Sequence, residues 1–198
     1  MREVTGKKYL ELIHRIDKDT SGLLMISKKR SALKALQQHL VDKTIQKHYL
    51  CLANGQPALN EQRIDASLLR YTLASGERRV KVDSTDAQAK ESQTDIIVHS
   101  RFTINNQPVS LIEAKPLTGR THQIRVHLAH IGHPLLGDAK YGRNRDNHKT
   151  GLKHQALCAY KLTFHFQSDA GVLNGLNGRS FEVLDVWFRD AFFAGTLY

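Results

Sequence analysis

The densest concentration of reactive side chains lies in HRIDKDTSGLLMISK, residues 14–28, where Asp17 sits between Arg15 and Lys18 just ahead of an apolar run led by glycine. Neighbouring cations favour the ionised form of a carboxyl group, and an ionised carboxylate can act as a nucleophile or stabilise a developing cation. Asp and Thr in so short a stretch can also satisfy the backbone groups of a turn, and the residue types alone leave both roles open. Asp19 would share a face with Asp17 in an extended segment, as in acidic metal sites. Arg15 and Lys18 compete with any cation there, and no further carboxylate cluster completes a ligand set.

A second cluster, PLTGRTHQIRVHLAHIGHPLLGDAKYG at 116–142, gathers Arg120, His122, Gln123, Arg125 and His127 around one helix start. Backbone N–H groups at a helix N-terminus, flanked by Arg and His, suit a phosphate of a nucleic-acid backbone. An ordinary capped helix with a solvated basic face has the same composition. The histidines at 122, 127, 130 and 133 match neither HExxH nor a paired Cys/His spacing, so no metal is expected.

Several elements must hold these residues in place. Gly22 to Lys28 reads as a buried strand, followed by a helix with Ser31 as its N-cap and Leu33, Leu36, Leu40 and Val41 on its apolar face. Ile45 to Asn54 alternates as a strand, which puts Lys47, Tyr49 and Cys51 on one face and His48, Leu50 and Leu52 on the other. Ser75 to Arg79 predicts a hairpin turn, Asp83 to Gln93 a polar loop or connection, and Val109 to Lys115 a strand ended by Pro116. Ile124, Leu128 and Ile131 mark a helix stopping at Gly132. Leu157 to Phe166 and Phe181 to Phe188 read as strands joined by a Gly- and Asn-rich loop, Gly171 to Gly178. Several strands and two helices predict an α+β domain on a largely antiparallel sheet.

The 198 residues, 40% hydrophobic, suffice for one sizeable core. Lys and Arg number 29 against 19 Asp and Glu, a net charge of +10, and the pI is about 9.7. That balance favours a polyanionic partner, nucleic acid first. Cys51 and Cys158 are too few for a secreted disulfide framework, so a reducing cytoplasm is expected. No apolar run reaches membrane-spanning length, and the start, Met1 to Lys8, is too polar for a signal core.

HRIDKDTSG resembles the signature H-R-[LI]-D-x-x-T-S-G of the pseudouridine synthases of the large-ribosomal-subunit type, and GRTHQIRVHLAHIGHPLLGD resembles their second signature, in the same order and separation. The resemblance runs from about Leu10 to Phe188 and is strongest over residues 8–52. It implies the pseudouridine synthase catalytic fold, α+β, with a largely antiparallel mixed sheet and flanking helices and loops. The implied activity is isomerisation of specific uridines in large-subunit ribosomal RNA by an Asp nucleophile, with no cofactor, no metal and no membrane, in a cytoplasmic monomer.

By position, the family's catalytic Asp falls on Asp17, its active-site Tyr on Tyr49 and its Asp-pairing Arg on Arg125, while Leu157 lines the uracil pocket. Arg15, Arg120, His122 and Gln123 are the candidates for RNA contact. Where the family commonly has Leu-His-Ala, this chain has Leu157-Cys158-Ala159. Family members normally carry several dozen further residues, with a Lys-Pro motif, before the Asp signature, and many have an S4-type RNA-binding domain. The expectation is therefore one catalytic domain over 1–198, without an S4 domain and short of its N-terminal part. A non-catalytic RNA-binding module and a metal-dependent nuclease are the competing readings.

Overall fold

The computed structural model describes residues 6, 9–142 and 150–189, so the polar start, Gly6 apart, lies outside the described residues. Its centre is a seven-stranded sheet. The strands are β2 (Ser21–Gly22), β4 (Ile45–Asn54), β5 (Glu61–Asp65), β8 (Gln93–Ile104), β9 (Gln107–Pro116), β10 (Leu157–Phe164) and β11 (Ser180–Glu182). The order is β11-β10-β4-β9-β8-β5, with β2 added alongside β10. All its pairings are antiparallel except β2 with β10. Two short ribbons accompany it: β1 (Glu11–Leu12) with β3 (Ile26–Ser27), and the hairpin β6 (Leu68–Thr72) with β7 (Arg78–Val82). Among the described residues, two α-helices flank it, α1 (Arg30–Val41) and α2 (Gln123–His130).

Side-chain alternation along β4 divides the core in two. Tyr49, Cys51 and Ala53 join Ile112, Ala114, Leu157 and Ala159 on the face covered by Ile124 and Leu128 of α2. Leu50 and Leu52 join Val109, Leu111, Cys158, Val186 and Phe188 on the other face. A third cluster seats α1 through Leu36, with Leu33 and Leu40 against Ile13, Ile45, Leu162 and Phe164. A fourth ties the β6–β7 hairpin to α2 through Leu68, Val80 and Val126.

Four local expectations need correction. The run from Gly22 to Lys28 is two separate short strands, because Gly22 has φ of 111° and turns the chain, leaving Leu24 39% exposed. The cap of α1 is Lys29 and not Ser31; the Ser27 hydroxyl instead donates to Lys29 O at 2.6 Å, and Val41 is exposed. Gly171–Leu176 forms a 3-10 helix rather than an open loop. The strand expected over 181–188 is confined to Ser180–Glu182; beyond it Val186 and Phe188 reach the core where the chain turns helical over 187–189, with Arg189 N–H donating to Val186 O.

Candidate active site

The loop carrying Asp17 is moored at two points, to β10 and to the segment just before it. At one, Gly22 lies so close that a Cβ there would stand 2.3 Å from Ala159 O, so only glycine fits. At the other, Gln155 Nε2 donates to Lys18 O at 2.6 Å, and Thr20 N–H donates to Asp17 O at 3.1 Å to close a turn. Ile16 packs on the core between them. His14 Nε2 accepts the Met25 N–H at 3.3 Å, tying the start of the segment to the neighbouring ribbon. Burial, and next the charge of Lys47, lowers the His14 pKa to about 4, which keeps that ring neutral.

What remains at the tip is Asp17, half-buried, whose carboxylate has no hydrogen bond or ion pair among the described residues. The turn-forming role open at the level of residue types is filled by its backbone oxygen, leaving the side chain free. It opens onto a cavity of about 290 Å³ shared with Tyr49 and Leu157 and rimmed by Arg15, Arg70 and Arg120. Tyr49 and Leu157 reach it from adjacent strands: Tyr49 pairs with Ala159, Leu157 with Cys51, and all four share one sheet face. Tyr49 is buried, and burial together with the Asp17 charge pushes its pKa up to about 12, so the hydroxyl stays a proton donor. Cys158 points to the opposite face, so the difference from the usual Leu-His-Ala run does not touch the cavity wall.

Arg125 is not bonded to Asp17 as expected. Its Nε and Nη2 both donate to Asp138, at 2.7 Å each, in a buried bidentate pair. Asp138 also accepts the N–H groups of Lys140 and Tyr141, at 2.8 and 2.9 Å. Burial works against both charges, yet these bonds prevail: the Asp138 pKa is lowered and that of Arg125 raised, the Asp17 charge adding to the latter. Asp138 lies on the loop following α2, where it meets the Nε and Nη2 edge of the guanidinium.

Gln123 lines the same cavity as Asp17 and Tyr49, with its amide engaged within the protein. Its Oε1 accepts from Thr118 Oγ1 and Arg120 N–H, while Nε2 donates to Gln93 O and Thr94 Oγ1. All four positions of the amide are taken, so it shapes the turn bearing Arg120. His122, in the left-handed region at φ 55°, shares a 2.7 Å hydrogen bond with the Tyr141 hydroxyl and opens onto an adjoining basin with Arg15 and Arg70. Arg120 Nε donates to Glu91 O at 3.0 Å.

The other histidines of the second cluster go separate ways: His127 bonds Thr94 Oγ1 and Ala66 O, and His133 bonds Asn54 O. Among the described residues no group of three His, Cys, Asp or Glu is arranged to hold a metal. Four contributors escaped sequence reasoning. Lys47 had a usable signal, since it shares the Tyr49 face by period two; Asp138 had a weaker one in the Gly-Asp pair after the helix. Arg70 and Gln155 come from segments with no motif.

Residues 1–130 match the family model of RNA pseudouridylate synthases. The chain belongs to that family. Its similarity to curated relatives extends further along the sequence. It is 44% identical over 169 residues to ribosomal large subunit pseudouridine synthase C of Haemophilus influenzae, covering 84% of this chain and 50% of that protein. Against the protein of the same name from Escherichia coli it is 42% identical over 162 residues, covering 79% of this chain and 49% of the other. The chain thus spans about half the length of these pseudouridine synthases.

Among solved structures it superposes on human RNA pseudouridylate synthase domain containing 1, with a TM-score of 0.71 and 27% identity over 81% of this chain and 66% of that one. Human RNA pseudouridylate synthase domain containing 4 shares the fold, with a TM-score of 0.65 at 23% identity over 82% of this chain and 70% of that one. The pseudouridylate synthase fold and its mostly antiparallel sheet accord with the α+β architecture expected from the sequence. No helix among the described residues is long and apolar enough to cross a membrane.

Proposed function

We propose that this chain isomerises uridine to pseudouridine in large-subunit ribosomal RNA, acting as a single catalytic domain. The observation that carries the reading is the unbonded Asp17 carboxylate facing one cavity with the Tyr49 hydroxyl and the apolar wall of Leu157. The reaction breaks the bond from uracil N1 to ribose C1′ and forms one from C5 to C1′; C5 loses its proton and N1 gains one. There is no net redox change, and no cofactor or metal is called for.

Asp17 attacks the sugar or ring, or removes a ribose proton; all three begin from a carboxylate aimed into the cavity. Arg125 supplies the fixed positive charge beside it. Tyr49 presents a flat ring to the uracil and a hydroxyl for the step at C5, where its oxygen takes the departing proton as its own passes on to N1, and Leu157 closes the apolar side. A uridine within a helix must first be flipped out, at a cost of a few kcal/mol by unstacking, roughly. Arg15, Arg120 and His122 contact the opened RNA, while Gln123 acts by holding the Arg120 turn. The enzyme works as a monomer in the cytoplasm.

The test is release of tritium from C5-labelled uridine in large-subunit ribosomal RNA, with EDTA present. Release with intact RNA strands is the expected result. Binding without release would replace this reading with a non-catalytic RNA-binding module, and strand cleavage abolished by EDTA would replace it with a nuclease.

A further inference from the structure

Arg125 has two edges to offer, and one is spoken for. A guanidinium carries five N–H donors in a rigid plane, and Asp138 takes the Nε and Nη2 edge at 2.7 Å each. The Tyr141 ring lies over the plane, 5.2 Å from Cζ. That ring is itself fixed, its hydroxyl accepting the Val80 N–H at 3.2 Å and bonding His122 at 2.7 Å. The Nη1 donors have no protein partner among the described residues. Asp17 is the other carboxylate in the field of Arg125.

The two carboxylate loops share one mooring. Gly137, φ 74°, presses against the segment before β10 so closely that a Cβ would stand 2.0 Å from His154 O. Ala156 N–H donates to Leu136 O at 2.9 Å, and Gln155, between them, grips the Asp17 loop through Lys18 O. Residues 154–156 therefore fix Asp138 and Asp17 relative to each other.

We infer that Asp138 is a positioning residue of this site, clamping one edge of the Arg125 guanidinium so that its free edge is held toward Asp17. This rests on the proposed uridine isomerisation. Asp138 does not line the cavity and acts on the site through Arg125. An Asn at 138 would turn an NH2 group toward one of the Arg125 donors, so one of the two bonds becomes a repulsion and the plane swings away.

The experiment compares the wild-type chain with Asp138→Asn, Asp138→Glu, Arg125→Met and the Arg125→Met/Asp138→Asn pair. It reads single-turnover tritium release, RNA affinity and thermal unfolding. Asp138→Asn should slow turnover by about 100-fold, the order of a small misplacement of a reacting group, with RNA affinity unchanged within about threefold. Asp138→Glu, which keeps the charge and both acceptors, should recover about tenfold of that loss.

In the Arg125→Met background the second substitution should leave the rate unchanged within about twofold, while raising the melting temperature because a neutral amide replaces a buried carboxylate that has lost its guanidinium. The double variant keeps the test open should Asp138→Asn alone unfold. A near-wild-type rate for Asp138→Asn, or a further slowing of Arg125→Met by it, overturns the inference. An inactive wild-type chain overturns the isomerase reading itself and the inference with it.

Discussion

Two buried carboxylates, one on each side of the sheet, show how the same chemistry serves different ends. Glu113 on β9 faces away from the cavity and accepts from His48 Nδ1 at 2.7 Å and His99 Nε2 at 3.0 Å, with the Lys115 ammonium at 3.4 Å. Its donors close around it and lead nowhere. Asp138 accepts two donors from Arg125 and two from the backbone, yet the cation it holds retains N–H groups without a partner among the described residues. A closed network stabilises the fold, whereas an open one stabilises and also presents charge to a site.

Arg125→Met should have the largest effect on both counts. It takes the guanidinium away from the buried Asp138 carboxylate, a loss of about 3–5 kcal/mol, read as a lower denaturation midpoint, and it slows single-turnover isomerisation. Loss of stability with full activity would place Arg125 in the same class as the far-side histidines. Tyr49→Phe sharpens the cavity side alone: the ring stays, the hydroxyl goes, and the rate should fall by about 10²- to 10⁴-fold with RNA affinity and melting temperature nearly unchanged. Equal rates would confine residue 49 to packing.

Glu113→Gln tests the other side. It should cost about 1–3 kcal/mol at neutral pH and leave the rate untouched. The sign with pH follows from the shift. Burial would raise the Glu113 pKa, but the bonds from His48 and His99 and the charge of Lys115 outweigh it and hold the carboxyl below its ordinary range. Such a group contributes stability above its unfolded pKa, near about 4.3, and loses it as pH falls through the folded value. Melting temperatures of wild type and Glu113→Gln should therefore differ at pH 7 and converge in acid; a constant gap would detach the carboxylate charge from the effect.

The smallest effect belongs to the rim. Arg120→Ala should weaken RNA binding by losing a phosphate contact and reduce the slope of log affinity against log salt by about 0.7 for a single-stranded contact. An unchanged slope would remove Arg120 from the phosphate contacts.

How much of this was legible depended on whether a residue's neighbours in sequence were also its neighbours in space. β4 could be read residue by residue because its alternation is unbroken from Ile45 to Asn54, and that alone put Tyr49 on the correct face. β8 hid itself: a bulge between Val98 and Ser100 reverses the parity, so Ile96 and Val98 serve one core and Phe102 and Ile104 the other. The GLLMISK run misled because its composition records burial while the φ of Gly22, invisible to composition, decides direction.

At the site, Asp17 and Tyr49 came from the family resemblance, and the period of β4 placed Tyr49 on the face that lines the cavity. The bond from Arg125 went to Asp138, thirteen residues on. The preference was settled by a tertiary contact between a helix and its following loop, which spacing does not reveal. Gln155, 137 residues from the Lys18 oxygen it holds, was beyond any local signal.

The central claim is that the Asp17 side chain does chemistry while its backbone makes the turn. Asp17→Asn preserves size and the backbone bond to Thr20 N–H, but removes the anion. The decisive measurement is single-turnover pseudouridine formation by Asp17→Asn, with Asp19→Asn as the matched control and mass spectrometry excluding reversion to Asp. The account predicts no detectable product from Asp17→Asn, with unfolding and RNA affinity like wild type, and near-normal turnover from Asp19→Asn. Substantial product from Asp17→Asn would contradict it.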